Sequence, residues 1–235
     1  MNKFIFFLLL FISGCQSWPR QQEGGQSLLD TFECGYPCWQ NIVPGKTSEK
    51  EANTILETST LIDQKTIKSY APSEAFQNET PERIFDKTIH ASLTSDFNCN
   101  ITLYIINDKV VVISFSFIEF PPSIEDVIKT TADPEYVVVN HYYAEDYSVG
   151  FSNVTNGVAF MYSTLNKPRE QLISITPDIK VDMIHFFDFN FYEQFLSIGS
   201  LTSTPVQYKD IKLLFEVWKG YGKVGEKYHI NYLGE

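Results

Sequence analysis

The sequence predicts an α+β domain: antiparallel sheets with two or three short helices packed on one face. Three observations point there. Residues 97–118 alternate apolar and polar side chains with period two, rich in branched and aromatic types. Two short segments pair a capping Ser with an acidic residue three positions later, each ahead of an apolar stripe. The composition, 43% apolar and 20% charged with 12 Gly and 11 Pro in 235 residues, belongs to a folded chain. Nineteen Phe and 13 Tyr supply core material. The formal charge of −11 argues against a nucleic-acid partner, whose phosphates would be repelled.

The chain opens MNKFIFFLLLFISGC. Lys3 gives a short positive region, and Phe4 to Ile12 form an apolar run of nine residues. That run is too short to span a bilayer and reads as a signal peptide over 1–14. It ends in Ile12-Ser13-Gly14-Cys15, which resembles the bacterial lipobox. The resemblance implies cleavage before Cys15 and thioether attachment of diacylglycerol to its thiol. A palmitate-bearing lipoprotein of the cell membrane or outer membrane would result, its folded part extracytoplasmic and its membrane contact made through the N-terminal lipid. Two acyl chains suffice for stable anchoring. Loss of residues 1–14 would leave a charge of −12. Residues 15–32 are mainly polar and carry Pro19, Gly24 and Gly25, as a flexible tether would.

The domain then occupies 33–235. Cys34, Cys38 and Cys99 would all lie in an oxidising compartment, where a disulfide is permitted. Three thiols cannot all pair within one molecule. The expected bridge joins the 34–38 segment to Cys99, with Cys38 preferred because Trp39 follows it and would bury the bond; Cys34 is the alternative.

Pro44-Gly45 turns the chain into a helix capped by Thr47 or Ser48, with Glu51 as box partner and Ala52, Ile55 and Leu56 as its stripe, ending near Thr58. Thr66–Tyr70 is a short strand candidate and Thr80-Pro81-Glu82 a brief helical turn. The next hairpin turns at Asn107-Asp108; beyond it Val111, Ile113, Phe115 and Phe117 should share one face, Ser114 and Ser116 the other. Ser123, with Asp126 as partner, opens a second helix whose stripe is Ile124, Val127 and Ile128, and Asp133-Pro134 ends it. Strands follow at 136–142, 147–153 and 158–163, the last two joined by Thr155-Asn156-Gly157. The repeated order at 47–118 and 123–163 suggests a duplicated helix–hairpin module, with units 37–118 and 119–200. More sheet is expected at 171–175 and 180–187. A C-terminal helix from Pro205 or Gln207 to Trp218 should face Ile211, Leu214, Phe215 and Trp218 inward, and the tail should be an edge segment or disordered.

Pro37-Cys38-Trp39 with Ile42, Pro44-Gly45 and Thr47 resembles a family of uncharacterised bacterial lipoproteins. Those carry a P-C-W-x-G-I-x-P-G-x-T segment and later a helix, a Gly-x-Pro and strands. Asn41 stands where the family has Gly, and Asp133 precedes Pro134 where the family more often has Gly-x-Pro. The likeness covers about 37–165. There is a weaker likeness to small outer-membrane assembly lipoproteins. Neither implies catalytic residues, a metal or a cofactor, and none is expected.

The four histidines are widely separated, and Pro44-Gly45-Lys46-Thr47 lacks the other glycines of a phosphate loop. Phe186, Phe187, Phe189, Phe191 and Tyr192 are the candidate partner surface, able to meet an envelope protein, a peptide or a glycan. The expected function is therefore a membrane-anchored envelope module that binds or supports structure without catalysis. The alternative is an extracytoplasmic hydrolase using carboxylates of the 182–210 region, namely Asp182, Asp188, Glu193 and Asp210.

Overall fold

Asn107 and Asp108 connect two of the longest strands, and both adopt left-handed backbone, with φ 49° and 60°. Two such residues in succession make the mirror-type turn whose twist suits a hairpin. A computed structural model of the chain describes residues 28–71, 85–142, 146–164, 173–192 and 214–233. In it this hairpin joins β3 (Cys99–Ile106) to β4 (Lys109–Phe117). The remaining strands are β1 (Lys68–Tyr70), β2 (Lys87–Ser92), β5 (Tyr136–Tyr142), β6 (Asp146–Asn153), β7 (Val158–Thr164), β8 (Ser174–Ile175), β9 (Met183–Phe187), β10 (Glu216–Val217), β11 (Gly222–Lys223) and β12 (Asn231–Leu233). Ten of them form one sheet in the order β1-β2-β3-β4-β9-β7-β6-β5-β10, with β12 parallel to β5; β8 and β11 pair separately.

The sheet buries its front face. Ile89, Leu103, Ile113, Phe115, Phe186, Phe160, Phe151 and Val139 belong to one continuous cluster that crosses it from β2 to β5. Both helices pack there. α1 (Glu49–Thr58) buries Ala52 and Leu56; α2 (Ile124–Thr131) buries Ile124, Val127 and Thr131. Each helix starts with a complete capping box. Ser48 Oγ accepts from Glu51 N and Glu51 accepts from Ser48 N; Ser123 and Asp126 repeat the exchange. The fold is thus α+β, antiparallel sheet with short helices on one face, as the sequence predicts.

One register detail differs. Ile105 pairs with Val110 but Tyr104 pairs with Val112, so Val111 is an extra residue on β4. A bulge of this kind turns the neighbouring side chain over. Val111 joins Val112, Ala159, Met161 and Phe187 in a smaller cluster on the back face, and Val110 takes the front-face position expected of Val111.

The two helix-led units differ in element order: the first helix is followed by a 3-10 turn and a four-stranded meander, β1 to β4, the second by a three-stranded one, β5 to β7. Their last strands, β4 and β7, both run antiparallel to β9 and are therefore parallel to each other. One meander runs inward from one edge and the other inward from the opposite edge. Superposing them requires turning the sheet over, which would place the two helices on opposite faces. Both helices lie on the front face, so no rotation carries one whole unit onto the other.

Two further expectations change. Thr66 closes a 3-10 turn (Gln64–Thr66) and the strand begins only at Lys68. The C-terminal helix does not reach Trp218: Glu216–Val217 pair with Val137 and Tyr136 as a strand. Trp218 N–H continues that ladder by donating to Glu135 O, and its ring stacks on Tyr228. Residues 205–213 lie outside the described residues, as does Thr80-Pro81-Glu82. The tail forms the edge strand β12 up to Leu233.

Candidate functional site

The segment that carries the lipoprotein-like motif forms a compact plug on the front face. Trp39 and Ile42 exchange backbone hydrogen bonds of 3.1 and 2.7 Å around Gln40 and Asn41. Those two have φ 50° and 66°, again the turn that needs left-handed backbone at both centre positions. Asn tolerates that conformation better than other side-chain-bearing residues, and Gly better still. Asn41 therefore suits a position that glycine would also fill without steric cost. Ala132 closes α2 with φ 104° and ψ 166°. At both positions the backbone, not the side chain, favours glycine.

Trp39 is fully buried, meets Phe115 edge-on and donates from Nε1 to Thr31 Oγ1 at 3.3 Å. Phe32 and Tyr36 close on Phe186 from the same side. Gly45 N–H donates to Val110 O at 2.7 Å. A Cβ on Gly45 would lie 2.5 Å from Asp188 Oδ2, so this glycine permits the close approach of plug and sheet. Beside it Asn41, Lys46, Thr47, Ser48, Glu51 and Ile55 line an open groove of about 750 Å³. Three of its polar side chains are engaged: Thr47 Oγ1 accepts from Val43 N, and Ser48 and Glu51 bind each other. The Ser48 backbone and hydroxyl donors hold the Glu51 carboxyl below the ordinary glutamate value.

The disulfide is a correction. Cys34 pairs with Cys38, Cα to Cα 5.6 Å, and Cys99 is a free, buried thiol. Pro37 sits against Gly157, beside Phe187 and hence level with Val112, whereas Cys99 pairs with Phe117. Five residues of strand separate those levels, on the order of 16 Å, and a disulfide bridges no more than about 7 Å between Cα atoms. The expected Cys38–Cys99 bond is therefore out of reach. Burial pushes the Cys99 thiol up to about 12, far from a reactive thiolate.

The aromatic run does not form one surface. Phe186 and Phe187 are fully buried on opposite faces of β9, because adjacent strand residues alternate. Tyr192 stacks on Phe187 at 5.2 Å and Phe191 is partly buried beside it. Phe189 alone of the five is strongly exposed, at 64%.

The described carboxylates of the alternative reading stand apart. Asp182 and Asp188 flank β9 at opposite ends, about 20 Å along the strand. Asp182 Oδ2 accepts from Ser163 N at 2.6 Å, and desolvation raises its carboxyl. Asp188 caps the 3-10 turn Phe189–Phe191 by accepting from Asn190 N. Glu193 and Asp210 lie outside the described residues, as do Cys15 and residues 16–27; the end of the expected tether is not free, for Leu28, Leu29 and Phe32 are buried in the front-face core. Among the described residues there is no group of three His, Cys, Asp or Glu placed to hold a metal, and no helix long and apolar enough to cross a membrane.

Sequence reasoning missed a lateral row on the back face. His90, Thr102, Ser114, His185, Ala159 and Ser152 are successive register partners across six strands. His90 Nδ1 lies 3.0 Å from Thr102 Oγ1 and its Nε2 3.0 Å from Thr88 Oγ1, while Ser152 Oγ lies 3.1 Å from the Tyr192 hydroxyl. No local pattern reveals such a row, since each member comes from a different strand.

No protein-family model, curated protein or solved structure matches the chain.

Proposed function

We propose that the chain is a lipid-anchored cell-envelope protein whose domain binds or structurally supports a partner outside the cytoplasm, without catalysis. The observation that carries this is the run of nine apolar residues ending in Ile12-Ser13-Gly14-Cys15. The bridge between Cys34 and Cys38 supports it, since structural disulfides persist in oxidising compartments. The groove beside α1, whose hydroxyl and carboxylate groups bind one another, favours recognition over bond-breaking. The exposed Phe189 ring beside half-buried Phe191 and Tyr192 offers a small contact for an envelope protein, peptide or glycan.

Intact-mass measurement of protein extracted from membranes tests the anchor. A chain beginning at Cys15 with added acyl mass is the expected result. Cys15→Ser should leave the chain uncleaved or release it from the membrane fraction. Recovery of the serine variant with membranes, at full yield and unchanged mass pattern, would overturn the proposal.

A further inference from the structure

We propose that Asn140 and Ser148 hold an ordered internal water molecule on the back face of the sheet. Asn140 is fully buried, and neither its Nδ2 nor its Oδ1 has a hydrogen-bond partner; Ser148 is 1% exposed and its Oγ has none either. The two residues are register partners on β5 and β6, which places their Cβ atoms about 5 Å apart on one face. Buried polar atoms of folded proteins nearly always find partners, and three orphans on one facing pair call for a shared one.

The chemistry selects the occupant. The amide offers both donors and acceptor, and the hydroxyl offers both roles. A molecule that also donates and accepts satisfies all three atoms, and water bound in protein interiors makes about three such bonds. The surroundings suit a small occupant: Gly150, next along the same face of β6, carries no side chain, and Val138 opposite it is buried. Ser163 is the next register partner of Ser148 and is exposed. The line Asn140–Ser148–Ser163 thus runs from a fully buried residue to an exposed one.

The test is the water-to-protein nuclear Overhauser effect on the full chain, read at the side-chain amide protons of Asn140. A cross-peak from long-lived water is expected in the wild type. It should be lost in Asn140→Leu and weakened in Ser148→Ala, a milder variant that keeps the amide in place if the leucine variant fails to fold. Absence of the cross-peak in the wild type overturns the proposal. So does a cross-peak of unchanged intensity in Ser148→Ala, because the water would then not bridge the pair. Crystallographic density for a larger solute at this position would overturn the identity of the occupant.

Discussion

Ala132→Gly is expected to stabilise the protein. Ala132 closes α2 with φ 104° and ψ 166°, a region open to glycine and costly for any residue with a Cβ, on the order of 1–3 kcal/mol. The methyl group is exposed, so removing it forfeits little burial. The bond from Ala132 N–H to Ile128 O, 2.9 Å long, uses backbone alone and survives the change. Against the relief stands the greater freedom of glycine in the unfolded chain, roughly 0.5–1 kcal/mol. The net gain is then about 1 kcal/mol, which for a domain of this size raises the melting temperature by about 2–4 °C. Urea titrations of wild type, Ala132→Gly and Ala132→Val measure it. The valine variant, branched at the same backbone angles, should lose at least as much as glycine gains. A glycine variant no more stable than wild type, or a valine variant equal to it, would refute the reasoning, for the backbone at 132 would then not be under strain.

Three other outcomes follow from the site geometry. Gly45→Ala should cost roughly 2–3 kcal/mol, because φ is 79° and the new Cβ meets Asp188; combining it with Asp188→Gly should recover about 1 kcal/mol, read as the coupling in a double-mutant cycle. Cys34→Ser should destabilise by about 2 kcal/mol, the closure entropy of so short a loop; nonreducing peptide mapping should find Cys34 joined to Cys38 and Cys99 alkylated only after unfolding. The pH dependence of α1 runs through Glu51, whose folded value lies below the ordinary 4.5 because Ser48 donates to it. A depressed carboxyl contributes stability above its unfolded value and loses it as pH falls through the folded one. The stability difference between wild type and Glu51→Gln should therefore be present at neutral pH and shrink below about pH 4.5; a difference that stays constant into acid would sink this assignment.

The sequence by itself determined the features whose partners lie within a few residues. Ser48 finds Glu51 and Ser123 finds Asp126 three positions on. Asn107-Asp108 reverses the chain locally, and the alternation of Cys99–Ile106 shows directly as alternate burial. Short-range hydrogen bonds and side-chain period depend only on neighbours along the chain, so they can be read without knowing the fold. That Asn41 and Ala132 stand at positions suited to glycine became visible only with the backbone in place, through their positive φ values.

Tertiary structure decided the rest. Strand β9 lies between β4 and β7, 74 residues after one and 25 after the other counted from first residues, and no local signal specifies that insertion. Once it sits there, Phe186 faces the helices and Phe187 the back cluster, which dissolves the aromatic run as a surface. The same placement sets Cys99 far from Cys38 and aligns His90, Thr102, Ser114 and His185 in one row. Strand pairing joins residues distant in sequence through hydrogen bonds that any residue but proline can make. The side chains therefore say which face is buried but not which strand lies alongside, and every site built across strands waits on that pairing.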